Sequence, residues 1–390
     1  MTKYLLTAAI ATVLAACNNT SDAASAAAQA LPAAATPAAA TADADKPFTA
    51  TPAAEFNQPW AMTFLPDGRL LVSERQGALK VFDIASKKTG NVSGVPAVDY
   101  GGQGGFGDVV LHPQFASNGL VYVSYAEKGD GDTRGAAVAR GKLTLDGNGG
   151  GALSAMKVIW RQSPKVTDRG HYGHRIAFGP DGKLWISSGE RQKFDPAQDM
   201  KSNLGKIVRL NDDGSVPADN PFAEQGGVTA QIWSLGHRNP LGLAFNAQGQ
   251  LWEHEMGPKG GDEINRIERG ANYGYPIVSN GDHYDGKIIP DHDTRPEFNA
   301  PEASWNPVIS PAGFVIYSGD LFPDWKGDGF IGGLSSQSLV RIEFDGDKAR
   351  EAARYEMGAR IREIEQGPDG AIWLLEDGTQ GRLLKLTPAS

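Results

Sequence analysis

The chain has 390 residues, and 37 Lys and Arg against 46 Asp and Glu give it a formal net charge of −9. An acidic chain lacks the basic face that phosphate backbones require, so nucleic acid is excluded as the main partner. Its 49 Gly and 24 Pro show no collagen-like period, and a single cysteine excludes an intramolecular disulfide and a zinc site built from cysteines.

The first residues resemble a bacterial lipoprotein signal. A short basic start, Met1–Lys3, precedes the apolar run Tyr4–Leu14, which is too short to span a bilayer. The sequence Leu-Ala-Ala-Cys that ends at Cys17 resembles the lipobox, so we predict removal of residues 1–16 and lipidation of Cys17. An ordinary signal peptide with an incidental cysteine is the alternative. Because Asn18 rather than Asp follows, we expect attachment to the outer membrane, facing the periplasm.

Residues 17–46 are predicted to form a flexible tether. They consist mainly of Ala, Thr, Ser, Pro and Asp, and such a segment cannot bury enough apolar surface to offset its ordering entropy. The membrane would therefore be contacted only through the N-terminal lipid, and residues 47–390 would form the folded domain.

The folded part repeats a strand–turn–strand unit. Apolar runs flank a turn at Asp67-Gly68, and the pattern returns with turn glycines at Gly119, Gly182, Gly249, Gly329 and Gly370. Asp-Gly between apolar runs is a hairpin signal because Gly tolerates the positive φ of the turn. Six units at about 60 residues each, (370 − 68)/5, predict an all-β fold, a six-bladed β-propeller of four-stranded antiparallel blades.

Gly102–Gly107 matches the pattern G-x-G-x-x-G but precedes a strand-like run instead of a helix. A dinucleotide site is therefore rejected, since that motif needs a βαβ unit. A glycine-rich loop that lets a ligand approach the backbone remains open, with Gln103 as its polar side chain.

Two further segments stand directly before strand-like runs, where propeller loops line the mouth of the channel. His171 and His174 precede one such run, and a histidine there can act as a general base. A structural histidine or an H-x-x-H metal pair is the alternative. Arg238 and Asn239 precede another, where they suit carboxylate recognition or form a surface ion pair.

The chain also contains candidate sites for a cation and for an anion. The segment 255–263 is Gly-rich and acidic, so its carbonyls and carboxylates could bind Ca²⁺, or it could be a solvated loop. Arg360 and Arg362 alternate on a strand and would point to one side. They suit an anionic ligand with carboxylates, unless both simply face solvent.

Taken together, these segments resemble the soluble quinoprotein aldose dehydrogenases, the glucose/sorbosone dehydrogenase family. The resemblance runs from about Gln58 to Pro388 and is strongest in I-W-S-L-G-H-R-N-P-L-G-L, E-M-G-P-K-G-G-D-E-I-N and N-Y-G-Y-P, between Gln231 and Pro276. It implies a six-bladed propeller that binds pyrroloquinoline quinone (PQQ) and Ca²⁺ and oxidises aldoses at C1 to the lactone.

The resemblance also implies residue roles. His171 would be the general base, and Gly257 and Pro258 would hold the Ca²⁺ of the cofactor. Glu263 and Tyr273 would bind a further, structural Ca²⁺. The positions that match contacts to the quinone are Gln103, Arg238, Asn239, Tyr284, Arg360 and Arg362. Ser335 occupies the likely position of a lysine that contacts the quinone in most of the family, and this difference would either weaken cofactor affinity or alter the electronics of the cofactor.

The predicted function is PQQ- and calcium-dependent aldose oxidation. Electrons would pass to an external acceptor, because the chain has no C-x-x-C-H haem motif. Two alternatives stay open: a lipid-tethered propeller that binds without turnover, and a calcium-dependent lactonase. The protein would be a monomer or a homodimer.

Overall fold

The computed structural model describes residues 46–389, whose backbone forms β-strands with very little helix. The first nine strands are β1 (Phe48–Phe56), β2 (Pro59–Phe64), β3 (Leu70–Glu74), β4 (Ala78–Asp83), β5 (Lys88–Ser93), β6 (Phe106–Leu111), β7 (Leu120–Lys128), β8 (Arg134–Leu145) and β9 (Gly151–Arg161). The next ten are β10 (Gly173–Phe178), β11 (Leu184–Ser188), β12 (Lys206–Leu210), β13 (Ile232–Leu235), β14 (Pro240–Phe245), β15 (Leu251–Glu255), β16 (Lys259–Gly260), β17 (Asp262–Arg266), β18 (Gly281–Asp282) and β19 (Ala303–Trp305). The last are β20 (Pro311–Ile316), β21 (Gly329–Gly333), β22 (Ser338–Asp345), β23 (Lys348–Glu356), β24 (Ile361–Gln366), β25 (Ile372–Glu376) and β26 (Gly381–Pro388).

Helical structure in this part of the chain is confined to single turns. They are α1 (Phe115–Asn118) and the 3₁₀ turns Asp195–Ala197, Ala223–Gln225, Thr229–Gln231, His292–Thr294 and Pro323–Trp325. None of the described helices is long and apolar enough to cross a bilayer.

The strands are arranged as antiparallel four-stranded sheets. Within residues 46–389, β10 to β13, β20 to β23, and β14-β15-β17-β19 each form one such sheet. An eight-stranded sheet combines two meanders, β2 to β5 and β6 to β9, through a short parallel pairing of β5 with β9. The remaining four-stranded sheet has the order β1-β26-β25-β24, and β16 pairs with β18 separately. The prediction of an all-β protein is therefore confirmed.

The first strand of each meander packs against the first strands of two others. The neighbouring pairs are β2·β6, β6·β10, β10·β14, β14·β20, β20·β24 and β24·β2. These contacts return to their starting point and form a closed circle. The first described strand, β1, pairs with the last, β26, in a register that sets Phe48 opposite Pro388. The two ends of the domain are thereby held in one sheet.

The predicted turn glycines lie between the first and second strands of the meanders. Gly68, Gly182, Gly249 and Gly370 have φ values of 85°, 72°, 78° and 79°, which L-residues rarely adopt. Gly119 ends α1 in the same region, with φ of 66°. The prediction is wrong only in the fifth unit, where Gly329 begins β21 and Gly327 takes the positive φ of 95°.

Most of the second strands are buried along their whole length, although β7 ends at the exposed Lys128. Every residue of β3, β11, β15 and β25 is buried, because each sheet is covered by neighbouring sheets on both faces. Truncating a large apolar side chain in such a core typically costs about 2–5 kcal/mol. These strands end at or just before acidic residues, which face the segments that precede the first strands.

Candidate active site

A cavity of about 320 Å³ lies where the first strands begin. Its lining comes from segments at the starts of β2, β6, β10, β14, β20 and β24 and from residues just after β3, β15, β21 and β25, so residues far apart in sequence converge there. Among the predicted site residues, it is lined by Gln103, Asn239, Arg360 and Arg362. Other lining residues include Trp60, Arg75, Tyr172, His174, Leu334 and Asp377.

His171 forms a buried pair with Glu190. Its side chain is 9% exposed, and Nδ1 makes a short hydrogen bond to Oε1 of Glu190, which is fully buried just after β11. The other oxygen of Glu190 accepts from the backbone N–H groups of Lys193 and Phe194. Because a carboxylate only accepts, Nδ1 carries a hydrogen and Nε2 has the free lone pair. The pair is therefore oriented as a general base and its positioning group.

The protonation of this pair follows from burial and neighbouring charges. Burial lowers the pKa of His171 below its usual value of 6.5, and Arg238 adds to this, although Glu190 opposes it. Burial alone would raise the pKa of Glu190, but the hydrogen bond and charge of His171, the N–H of Phe194 and the charge of Arg238 together outweigh it, and the pKa is lowered. At neutral pH the ring is thus neutral and able to accept a proton.

The Gly-rich segment 102–107 makes room for the segment that carries His171. A Cβ added to Gly102 or Gly104 would lie within 3 Å of Arg169 or Tyr172. Gln103 lies between these glycines, and its Oε1 accepts from the backbone N–H of His171 at 2.7 Å. The glycines therefore serve close packing between two protein segments, and Gln103 fixes the backbone of His171, whose φ is 47°.

Arginine side chains give the cavity a positive wall. Nε of Arg360 lies 2.9 Å from Oδ2 of Asp377, and Nη2 of Arg362 lies 3.2 Å from the same oxygen. Burial alone would raise the pKa of Asp377, but Arg362 and Arg360 hold it at about 2. Arg75 also lines the cavity, so the lining holds three guanidinium groups and one carboxylate, and this excess of positive charge suits an anionic ligand.

Arg238 and Asn239 are held by Glu255, the last residue of β15. Both backbone N–H groups donate to its Oε2. Nη1 of Arg238 donates to the carbonyls of Met256 and Gly257, at 2.9 and 2.7 Å. Its Nε is buried without a partner among the described residues, so a donor remains for a ligand.

The four predicted calcium residues surround one small cavity. Gly257, Pro258, Glu263 and Tyr273 all line a space of about 10 Å³, enough for one water-sized group. The hydroxyl of Tyr273 donates to the carbonyl of Arg266 and accepts from the N–H of Glu268. Toward a cation, Tyr273 therefore has only its backbone carbonyl to offer, and that carbonyl lies 3.1 Å from Nε2 of His292.

Carboxylates are concentrated beside this small cavity. Glu255 pairs across the sheet with Glu263, and Glu253 pairs with Asn265, whose Nδ2 donates to both Glu253 and Glu263. Burial, and then Glu255, raises the pKa of Glu253 and of Glu263 well above their usual range. Oε1 of Glu253 and Oδ1 of Asn265 are buried and have no partner in the described chain. This donor set fits a hard divalent cation.

Three predicted quinone contacts, Arg238, Tyr284 and Ser335, lie away from the lining of the larger cavity, and Arg238 lines the small cavity instead. Tyr284 is 73% exposed, and its ring lies 5.9 Å from the guanidinium of Arg238. Ser335 is exposed as well, and its Oγ donates to the carbonyl of Val308 at 3.4 Å, while Leu334 beside it lines the cavity. Cys17 and the signal segment lie outside the described residues.

Sequence reasoning missed Glu190 and Asp377, and it placed Glu255 only in the candidate calcium segment. Each lies at or just after the end of a second strand, after β11, at the end of β15 and after β25. An acidic residue recurring there was the available signal. Alignment of the repeats on their Asp-Gly turns would have detected it.

Comparison with known proteins gives a consistent result. The family model described as glucose/sorbosone dehydrogenase matches residues 56–385. Aldose sugar dehydrogenase YliI of Escherichia coli is 39% identical over 342 residues, which cover 86% of this chain and 91% of the relative.

Two solved structures extend the comparison. The apo form of the soluble aldose sugar dehydrogenase from Escherichia coli has a TM-score of 0.83 and 38% identity, over 88% of this chain and 100% of that one. A PQQ-bound aldose sugar dehydrogenase from Streptomyces coelicolor has a TM-score of 0.71 and 28% identity, over 87% and 98% of the two chains.

Proposed function

The chain belongs to the glucose/sorbosone dehydrogenase family, and from this premise we propose that it is a PQQ- and calcium-dependent aldose dehydrogenase that oxidises sugars at C1 to the lactone. The observation that carries the proposal is the His171–Glu190 pair beside a cavity with an excess of guanidinium groups. A base at this place and an anion-binding wall are what the reaction and its cofactor require.

We further propose that the domain is a six-bladed propeller. Four of its blades would be the four-stranded sheets, and the two meanders of the eight-stranded sheet would be the other two. The closed circle of first-strand contacts supports this count, as does the pairing of β1 with β26. The cavity would then lie at one mouth of the central channel.

The residues of the cavity fit PQQ, which is planar and carries three carboxylates. Arg360, Arg362 and the unpartnered Nε of Arg238 would bind these carboxylates, and Gln103 and Asn239 would add polar contacts. When bound, PQQ would supply the quinone that accepts the hydride from C1 of the sugar. Tyr284 would cover Arg238 from the exposed side, and Ser335 would lie at the edge of the cavity.

His171 would remove the proton from the C1 hydroxyl with Nε2. Glu190 would keep the hydrogen on Nδ1 and stabilise the imidazolium that forms, as a carboxylate does for a catalytic histidine. Positioned general-base catalysis of this kind contributes about 10²–10⁴ in rate. An external acceptor would then take the electrons.

Calcium would have two roles in this proposal. The carbonyl oxygens of Gly257 and Pro258 would hold an ion that acts as a Lewis acid on the cofactor. Glu263, with the carbonyl of Tyr273, would bind a structural ion that neutralises the buried carboxylates nearby. Addition of Ca²⁺ should therefore raise Tm, and Glu263→Gln should reduce that increase.

We also propose that the domain is tethered to the outer membrane by a lipid on Cys17, facing the periplasm. Wild-type protein should incorporate labelled palmitate and sediment with membranes. Cys17→Ser should do neither. Labelling that persists in this variant would contradict the anchor.

The function is tested by titrating the purified protein with PQQ and Ca²⁺ and following dye reduction with a panel of aldoses. We expect tight PQQ binding and sugar-dependent reduction that needs both additions and is lost in His171→Ala. Lactone hydrolysis without quinone would replace the proposal with a lactonase. Failure to bind PQQ would replace it with a binding module, consistent with Ser335 at the position of the missing lysine.

A further inference from the structure

His174 is a second histidine of the cavity wall, and the proposed chemistry leaves it without a role. It stands at the start of β10, is 2% exposed and has a φ of 63°. A non-glycine residue in this region costs about 1–3 kcal/mol, and such residues cluster at functional sites. Its side chain lines the same cavity as Gln103 and Arg362.

The imidazole of His174 is fixed by close packing. It stacks on the indole of Trp60, with ring centroids 4.9 Å apart and planes inclined by 14°. Its other contacts include Gly107 of β6, where an added Cβ would lie 2.0 Å from Cε1 of the ring. Only glycine at position 107 admits the ring, so this glycine is needed for the position of His174.

The hydrogen-bond network determines which ring nitrogen carries the hydrogen. The N–H of Asp108 donates to Oγ of Ser124 at 2.7 Å, and that oxygen lies 2.7 Å from Nδ1 of His174. The hydroxyl hydrogen of Ser124 has no other acceptor among the described residues, so it is donated to Nδ1. The ring hydrogen therefore resides on Nε2.

The ring is neutral at physiological pH. Burial lowers the pKa of His174 to about 3, and the positive charge of Arg175 contributes to this. Nε2 has no hydrogen-bond partner in the described part of the chain, and this atom is not fully buried. It is thus an unpaired donor that remains accessible, on a ring that lines the cavity.

We propose that His174 is a cofactor-positioning residue whose Nε2–H donates a hydrogen bond to an acceptor oxygen of the bound quinone. The inference rests on the proposed function, because the ligand of the cavity is taken to be PQQ. Quinone and carboxylate oxygens are acceptors only, and a neutral donor on a rigid ring complements them. The same donor could instead bind a sugar hydroxyl, which the test distinguishes.

The test compares His174→Leu with His174→Gln in the full-length protein. Leu removes the donor, whereas Gln can place an N–H close to the position of Nε2, and both variants carry the same backbone strain. The Kd for PQQ is measured without sugar, by quenching of tryptophan fluorescence in the presence of Ca²⁺. We expect His174→Leu to raise this Kd about tenfold and His174→Gln to restore most of the loss.

A second measurement does not depend on any variant folding. In wild-type protein labelled with ¹⁵N, the Nε2–H resonance of His174 should shift when PQQ is added in the absence of sugar, and an unchanged resonance in PQQ-saturated protein would overturn the assignment. An unchanged Kd in His174→Leu, or a raised KM for sugar with unchanged Kd for PQQ, would overturn the assignment. Wild-type protein that binds no PQQ would overturn the proposed function as well.

Discussion

Glu190→Gln is expected to disable His171 by changing which ring nitrogen carries its hydrogen. One oxygen of Glu190 accepts from the N–H groups of Lys193 and Phe194, and the other accepts from Nδ1 of His171. In glutamine, the remaining oxygen would stay with the two backbone donors, because two hydrogen bonds outweigh one. The new NH₂ group would then donate to Nδ1, so the ring hydrogen would move to Nε2 and the base would be lost.

The expected magnitude is that of losing the base altogether. General-base catalysis contributes about 10²–10⁴ in rate, so kcat for dye-coupled aldose oxidation should fall by about that factor. The Kd for PQQ should stay within about threefold of wild type, since Glu190 does not line the cavity. In a His171→Ala background, Glu190→Gln should cost little more, because the two residues act as a unit.

The assay needs a control for folding, since the substitution also weakens contacts within the loop. Tm and the Kd for PQQ should therefore be measured on the same preparation. If Glu190→Gln binds PQQ normally and keeps kcat within about threefold of wild type, the reasoning about His171 and Glu190 is refuted.

Three other predictions follow from the same contacts. Because the pKa of His171 is lowered by burial, kcat should be constant from pH 8 to 6.5 and fall only at lower pH; a decline centred above pH 6.5 would contradict this. The pKa of Asp377 is about 2 in the folded protein and near 3.8 in the unfolded chain, so this carboxylate stabilises the fold above pH 3.8 and the stabilisation is lost as the pH falls toward about 2. In denaturant unfolding, the free energy of unfolding should therefore decrease by about 2 kcal/mol less on acidification in Asp377→Asn than in wild type. Gly107→Ala should cost about 1–3 kcal/mol in the same assay, and His174→Gly should recover most of it; additive losses would show that the two residues do not clash.

Local turn chemistry made the fold largely predictable from the sequence. Asp-Gly turns such as Asp67-Gly68 are short-range signals, since their conformation depends on the residues themselves. Gly329 was wrongly predicted as the turn glycine because the fifth unit has a looser turn that contains two glycines, Gly327 and Gly329. Only the pairing of β20 with β21 determines which of them adopts the positive φ of the turn.

The site was predictable where function requires a residue type directly before a strand. His171, Arg238 and Arg360 all satisfy that pattern. Arg238 and Arg360 line the two cavities, and the backbone N–H of His171 donates to Gln103 in the lining of the larger one. Glu190 and Asp377 escaped because their partners lie 19 and 15 or more residues away in the sequence. Their role depends on strand pairing, which places the end of a second strand beside the start of a first.

The glycines of segment 102–107 illustrate a second limit. From sequence alone they were compatible with a backbone that a ligand approaches closely. In the structure they accommodate Arg169, Tyr172 and His174, which belong to the segment that leads into β10. A glycine indicates that another group packs closely against the backbone, and only the tertiary structure identifies that group.

The central claim is tested most directly by mixing PQQ-loaded protein with an aldose in the absence of oxygen and of any other acceptor. We predict that the bound PQQ is reduced in a single turnover and that one lactone forms per PQQ. Deuterium at C1 of the sugar should slow the reduction, because the C1–H bond breaks in that step. No change in quinone absorbance with any aldose, or reduction without lactone, would contradict the account.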